Sequence, residues 1–373
     1  MRNNIDRWPT KHIDRRTFLL AAGAGIAAAS IQVSRADEPS ETPLRQRAEK
    51  RGLVFGTEVN AGPLFSLKQY QDAVLRDAAM IVPENEMKWR PTQPTARQSN
   101  YFNADRIAKF AKDNMLLLRG HTAVWHQNPP AWTKDIIGSN DGQTLVLDHA
   151  RELISHFRGR VMEWDVVNEA IAPEDGMPDN LRNWAPYNKG GIDFIADCFH
   201  AAREADPNAN LYYNDFSVYY QSQGHRRDAI LSFLEKLKSM GAPIDGFGIQ
   251  SHLIANAEFD ENVYRRFLSE VADLGLKIRA TELDVSDIRL EPDIKLRDTI
   301  VAAHTKQYLD ILFDEPAVVG LLTWGMTDRF SWLHEGWPRK DRLRQRCLPL
   351  DDNFAKKPMW YAIADAFDHA PSR

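Results

Sequence analysis

The sequence predicts an α/β protein built as one parallel (β/α)8 TIM barrel. Three observations predict it. Eight short apolar runs read as buried strands, helical patterns lie between them, and polar or aromatic residues gather where the strands finish. The first two runs, "LVFGTEVN" (53–60) and "AMIVPEN" (79–85), flank "SLKQYQDAVLRDA" (66–78), where Ser66 and Gln69 have the spacing of a helix capping box. "LLLRGHTAVW" (116–125) is followed by the helical "TLVLDHARELISHFRG" (144–159), then by "VMEWDVVNE" (161–169) and "NLYYNDF" (210–216). "RRDAILSFLEKLKSMG" (226–241) leads into "GFGIQSH" (246–252), and "DENVYRRFLSEVADLG" (260–275) into "KIRATELDV" (277–285). "VVGLLTWGMTD" (318–328) completes the count. The last three helical patterns place apolar residues three and four apart and stop at glycine. A doubly wound open sheet is the rival architecture, but it needs no steady count of eight, and no GxGxxG follows the first strand.

Residues 1–36 stand apart from this alternation. Arg15 and Arg16 precede a mildly apolar stretch, Phe18 to Val33, and Ser34-Arg35-Ala36 supplies small residues for cleavage. The stretch has 16 residues, short of the ~20 that a membrane span needs. The expectation is a twin-arginine export signal at 1–36 and a catalytic barrel at 37–373, with the mature chain periplasmic or extracellular, monomeric and not stably bound to membrane. The full chain has a net charge of −5, and without residues 1–36 it carries 41 basic and 50 acidic residues, a net −9. That balance excludes nucleic acid as a natural partner. Cys198 and Cys347 form at most one bridge, and two free thiols are equally expected.

The strand ends carry the chemistry. They hold Asn60, Glu84-Asn85, His121 with Trp125, Asn168-Glu169, Asn214-Asp215, Gln250 with His252, Glu282 with Asp284, and Trp324 with Asp328. In a barrel these ends share one mouth. Glu169 ends the fourth strand and Glu282 lies near the end of the seventh, so the two face each other partly across it. Two carboxylates in that relation suit glycosidic cleavage, one as the proton donor and the other as the attacking anion. Asp284 could hold His252 so that it donates a hydrogen bond to Glu282 and favours its ionised form. Glu169 is then the acid/base and Glu282 the nucleophile. The competing explanation is an interior salt-bridge layer in which Lys88, Arg119 or Arg279 neutralises the two glutamates. Trp125, Trp324 and Trp332 fall at or beyond strand ends, where flat rings stack on sugars or simply fill core. Glu84, Asn85, Lys88, His121 and Gln250 would read the hydroxyls. His121 and His252 have no third partner at metal spacing, so neither metal nor cofactor is expected.

Seven segments, "ENEMKWRPTQP" (84–94), "RGHTAVWH" (119–126), "WDVVNEA" (164–170), "YYNDF" (212–216), "GIQSHL" (248–253), "TELDV" (281–285) and "TWGMTDRFSWL" (323–333), occur in the order found in family 10 of the glycoside hydrolases, the β-1,4-xylanases. The chain resembles that family from about Leu44 to Phe367. The resemblance implies a retaining endo-xylanase acting on xylan and xylooligosaccharides. It matches Glu169 to the acid/base, Glu282 to the nucleophile, His252 and Asp284 to the pair orienting it, and Asn168 to a residue holding the sugar 2-hydroxyl. Glu84, Asn85, Lys88, His121, Trp125, Gln250, Trp324 and Trp332 match glycone-side contacts. Two departures bear on chain-length and branch preference. Asn128 stands as a shorter substitute for a sugar-binding Gln, and Phe216 replaces a Tyr on the aglycone side. A glucanase on the same barrel and a non-catalytic sugar-binding barrel are the other readings. The basic segment "HEGWPRKDRLRQRCLPL" (334–350) reads as a solvated loop, or else as a contact for acidic side groups.

Overall fold

A computed structural model of the protein describes residues 42–373, and the export-signal expectation lies outside the described residues. The expected strands form and pair in sequence order. β1 (Val54–Val59) pairs with β2 (Met80–Pro83), and the ladder continues through β3 (Leu117–Trp125), β4 (Glu163–Asn168), β5 (Asn210–Asp215) and β6 (Gly246–Ile249). Both β6 and β7 (His252–Ile254) pair with β8 (Lys277–Ser286), β8 pairs with β9 (Val318–Thr323), and β9 returns to β1. Every pairing is parallel, so the ring closes on eight staves, with β6 and β7 as two sections of the sixth. Helices Lys68–Asp77, Phe102–Asp113, Gly142–His156, Ala185–Ala205, Gly224–Ser239, Glu261–Asp273, Ile294–Asp314 and Pro358–His369 follow the staves in turn. Parallel neighbours require such crossovers, and the apolar outer face of each strand is covered by them.

Three expectations are corrected locally. The capping box is absent: Ser66 ends a separate short helix, Ala61–Ser66, and its Oγ donates to the Gly62 carbonyl instead. The sixth run is interrupted at Gln250 and Ser251, where Ser251 turns to φ 65°. The last run ends at Thr323, because Gly325 at φ 117° turns the chain into the short helix Asp328–Phe330.

Ladder irregularities set which side chains face the barrel interior. Register slips occur between His121 and Val124 on β3, between Asp165 and Val167 on β4, and between Ala280 and Leu283 on β8. Strict alternation from Glu163 and Asp165 would bring Val167 inward; the slip brings Asn168 inward instead. On β8, Arg279 and Thr281 face in, and after the slip Glu282 and Asp284 do so as well.

Beneath the mouth lies a floor of buried charge. Arg119 pairs with both Glu163 and Asp165, Arg279 Nε lies 2.7 Å from Glu163 Oε1, and Asp165 Oδ2 is 3.0 Å from His121 Nδ1. Burial alone would raise the Asp165 pKa, but the Arg119 charge and the His121 hydrogen bond hold it below its ordinary value. Gly120 is required here, since a Cβ at that position would sit 2.2 Å from the Trp164 ring.

The two cysteines are both free and buried. Cys347 Sγ donates to Ser331 Oγ at 3.1 Å. The segment 334–350 is not simply a solvated loop. Arg339, Gln345 and Cys347 are buried, and Arg346 holds Asp298 in a fork with distances of 2.6 and 2.7 Å.

Candidate active site

Glu169 follows directly on β4 and adopts φ 58°, a left-handed conformation uncommon for a residue with a side chain. Ser217 after β5 (φ 61°) and Ser251 between β6 and β7 (φ 65°) also have positive φ, so the backbone takes the left-handed conformation at or near the ends of three successive strands. The Glu169 backbone is fixed by its N–H to the Asn214 carbonyl at 2.9 Å and by Arg182 Nε on its own carbonyl at 2.7 Å. Its carboxylate accepts from Trp125 Nε1 at 3.0 Å, Gln250 Nε2 at 3.1 Å and, more weakly, Asn168 Nδ2 at 3.4 Å.

Glu282 is buried and accepts from Asn214 Nδ2 at 2.7 Å and His252 Nε2 at 3.1 Å. His252 Nδ1 lies 3.0 Å from Asp284 Oδ2, which also accepts from Trp332 Nε1 at 2.8 Å. Burial works against charge on His252, but the two carboxylates overcome it and push its pKa up to about 10, so it is an imidazolium at neutral pH. Burial likewise opposes ionisation of Glu282, yet the His252 hydrogen bond and nearby positive charge hold its pKa below the usual carboxylate value.

The two glutamates are joined by amides. Gln250 Nε2 reaches Glu169 Oε1 and also Asn168 Oδ1, at 3.3 Å, and Asn214 Nδ2 reaches Asn168 Oδ1, at 2.8 Å, as well as Glu282 Oε1. The salt-bridge explanation is thereby decided. The buried ionic layer exists, but Arg119 and Arg279 pair with Glu163 and Asp165, and among the described residues no arginine or lysine forms an ion pair with Glu169 or Glu282. Asn214 belongs to the site although the sequence marked it only as a polar strand end. Its Oδ1 accepts from Thr281 Oγ1 at 2.7 Å, and a Cβ at Gly248 would press on it at 2.4 Å.

The remaining residues surround this core. His121 meets the Trp324 ring edge-on at 5.2 Å, and Trp324 itself is largely packed, with Met80, Val82 and Leu322 behind it. Trp332 is half-buried against His252 at 5.1 Å. Lys88 Nζ donates to Asn85 Oδ1 at 3.2 Å and sits 5.0 Å from the Trp125 ring centroid, while Glu84 Oε2 accepts from Asn60 Nδ2 at 3.1 Å. Burial lowers the Lys88 pKa despite the opposing charges of Glu84, Glu282 and Glu169. Glu58, not singled out in the sequence, lies in the same region. Burial first, then repulsion from Glu84 and Glu86, pushes its carboxyl well above the ordinary value. Asn128 stands apart from the carboxylates, its Oδ1 accepting the Arg90 N–H at 3.0 Å. Phe216 is stacked by the Arg226 guanidinium at 4.0 Å. Among the described residues no group of three His, Cys, Asp or Glu side chains is placed to hold a metal ion.

A closed (β/α)8 barrel that presents two carboxylates at the C-terminal ends of its strands has the arrangement of a glycoside hydrolase. The profile of glycosyl hydrolase family 10 matches residues 43–366, and the chain belongs to that family. It is 31% identical over 331 residues to endo-1,4-beta-xylanase B of Thermotoga neapolitana, covering 88% of this chain and 92% of that protein. Its fold is similar to the crystal structure of native xylanase 10B from Thermotoga maritima, with a TM-score of 0.79 and 32% identity over 87% of this chain and 98% of the other. It is also similar to xylanase 10B from Thermotoga petrophila in complex with xylobiose, with a TM-score of 0.78, 32% identity and coverage of 87% and 97%.

Proposed function

We propose that the protein is a retaining endo-β-1,4-xylanase in which Glu282 is the nucleophile and Glu169 the acid/base. The observation that carries this reading is the asymmetry between the two carboxylates. Glu282 accepts a charge-assisted hydrogen bond from the His252 imidazolium, which Asp284 holds, whereas Glu169 is bound only by neutral N–H donors. In the first step the Glu282 carboxylate forms a bond to the anomeric carbon as the glycosidic C–O bond breaks, and Glu169 gives its proton to the departing oxygen. In the second, Glu169 takes a proton from water, whose oxygen displaces Glu282 and restores both groups. This double displacement requires the carboxyls to be about 5–5.5 Å apart. Asn168 would hold the 2-hydroxyl of the sugar under attack, where hydrogen bonds strengthen as the transition state forms. Glu84, Asn85, Lys88, His121, Trp125, Asn128, Gln250, Trp324 and Trp332 would seat the glycone.

Proton NMR of xylooligosaccharide digestion, with cellooligosaccharides as control, tests the reading. β-Anomeric reducing ends should appear before mutarotation, with little action on the glucose series. Initial α-anomer would remove the nucleophile assignment, preferential cleavage of the glucose series would make it a glucanase, and no cleavage of either would leave a sugar-binding barrel. We further propose that residues 1–36 direct export through a twin-arginine route and that the mature enzyme is a monomer. N-terminal sequencing of the exported form should begin at Asp37. No helix among the described residues is long and apolar enough to cross a membrane.

A further inference from the structure

The basic segment 334–350 forms a half-open pocket of about 190 Å³. Its wall carries Arg339, Arg342 and Arg344 with His334 and Gln345, and no carboxylate. Two of the arginines are already engaged. Arg339 lies 3.3 Å from Asp287 and 2.6 Å from Asp341, and Arg344 lies 3.3 Å from Asp352. The Arg342 side chain has no hydrogen bond or ion pair among the described residues; its residue is exposed and held at φ 62°. His334 accepts the Gln345 N–H on Nδ1 and faces the Asp328 carbonyl with Nε2, the pattern of a neutral ring. Positive charge in the pocket therefore comes from guanidinium groups, in a chain that is acidic overall.

The pocket is tied to the catalytic strand. Gln345 Oε1 accepts from Ser286 Oγ at 2.6 Å, and Ser286 ends β8, which also carries Glu282 and Asp284. On the other side the Trp337 ring packs 5.5 Å from Trp332, the ring whose Nε1 holds Asp284. Gln345 in the pocket wall and Trp337 beside Pro338 thus connect the pocket to β8 and to Trp332 at the mouth. The volume is below the ~300–1,000 Å³ of pockets that take a whole ligand, which suits one branch rather than a chain.

We propose that this pocket is a subsite for an acidic sugar branch, a uronic acid whose carboxylate is held by Arg342. The proposal rests on the xylanase reading above and adds a substrate preference to it. An arginine fork accepts a carboxylate in two parallel hydrogen bonds and gains nothing comparable from a neutral pentose branch.

The test compares kcat/KM of the exported protein and its variants on three xylooligosaccharides of equal length. One is linear, one carries a single glucuronic acid branch, and one carries the same branch as its methyl ester. The wild type should favour the acid over the ester by about three- to fivefold, the size of a partly exposed ion pair. Arg342→Asn, which tolerates the left-handed backbone, should abolish that preference and leave the linear substrate unchanged; Arg342→Lys should retain part of it. Equal rates on acid and ester in the wild type, or a loss in Arg342→Asn that is the same on all three substrates, would overturn the subsite. Failure to cleave even the linear substrate would instead overturn the xylanase reading, and the subsite would fall with it.

Discussion

Two sets of buried acids occur on or beside the same strands and are treated in opposite ways. At the floor, Glu163 and Asp165 of β4 meet the full positive charges of Arg119 and Arg279. At the mouth, Glu169 and Glu282 meet mainly side-chain amides, an indole and one imidazolium. A carboxylate paired with the full charge of an arginine is held ionised and does not readily take up or release a proton. Glu169, held by neutral donors alone, can keep its place while it gives up or regains a proton, and Glu282, held by an amide and the His252 imidazolium, stays ionised. Position along the strand, rather than residue type, thus separates the ion-paired acids from the proposed reacting ones.

The largest losses are expected at the mouth. Glu282→Ala should lower kcat on xylan by about 10⁴-fold or more with the barrel still folded. Glu169→Ala should lose ~10²–10⁴-fold on xylan yet still form the glycosyl-enzyme rapidly from an aryl glycoside with a good leaving group, seen as a burst in stopped-flow absorbance. At the floor the expected damage is of the other kind. Arg119→Met leaves buried carboxylate uncompensated and should cost about 3–5 kcal/mol in denaturant unfolding, with kcat per folded molecule nearly retained. If it lost activity without losing stability, the division between the layers would be wrong.

His252 makes the mouth sensitive to pH. Its folded-state pKa lies near 10, above the ordinary 6.5, so the stabilisation it provides is complete below about pH 6.5 and is lost as pH rises through 10. The melting temperature of the wild type should exceed that of His252→Asn by a margin that is widest near pH 6 and closes towards pH 10. The smallest effect belongs to the amide chain. Asn214→Ala should cost about 1–2 kcal/mol of transition-state stabilisation, read as kcat/KM, since three of its partners each lose one neutral or charge-assisted bond.

The barrel was legible in the sequence because its two periods are strong: apolar runs of strand length, and helices whose apolar positions recur at three and four. That Glu169, Glu282, His252 and Asp284 gather at the mouth was legible because they close or nearly close such runs. Which acids the buried arginines neutralise was left open by the sequence, because strand register decides it: Arg119 and Glu163 are register partners on adjacent strands, with Asp165 two residues further along the same inner face. Glu58 was missed, and Asn214 marked only as a polar strand end, because each is an ordinary polar residue in a strand until its neighbours are known. The slips at Asp165/Val167 and Ala280/Leu283 have no sequence signature, yet they decide that Asn168 and Glu282 face inward. Ser66 misled because its residue type and spacing fit a cap, while the preceding turn was already helical.

The arginine floor also governs traffic. With Arg119, Glu163 and Asp165 essentially inaccessible, the barrel axis is sealed below the reaction centre. Substrate, departing fragment and hydrolytic water must then share one opening. Any acceptor that reaches the glycosyl-enzyme has to come through the space just vacated by the leaving chain, and another sugar is shaped for that space as water is not. At high oligosaccharide concentration such a dead-end chamber should turn part of its flux from hydrolysis to chain transfer, and products longer than the starting sugar would appear.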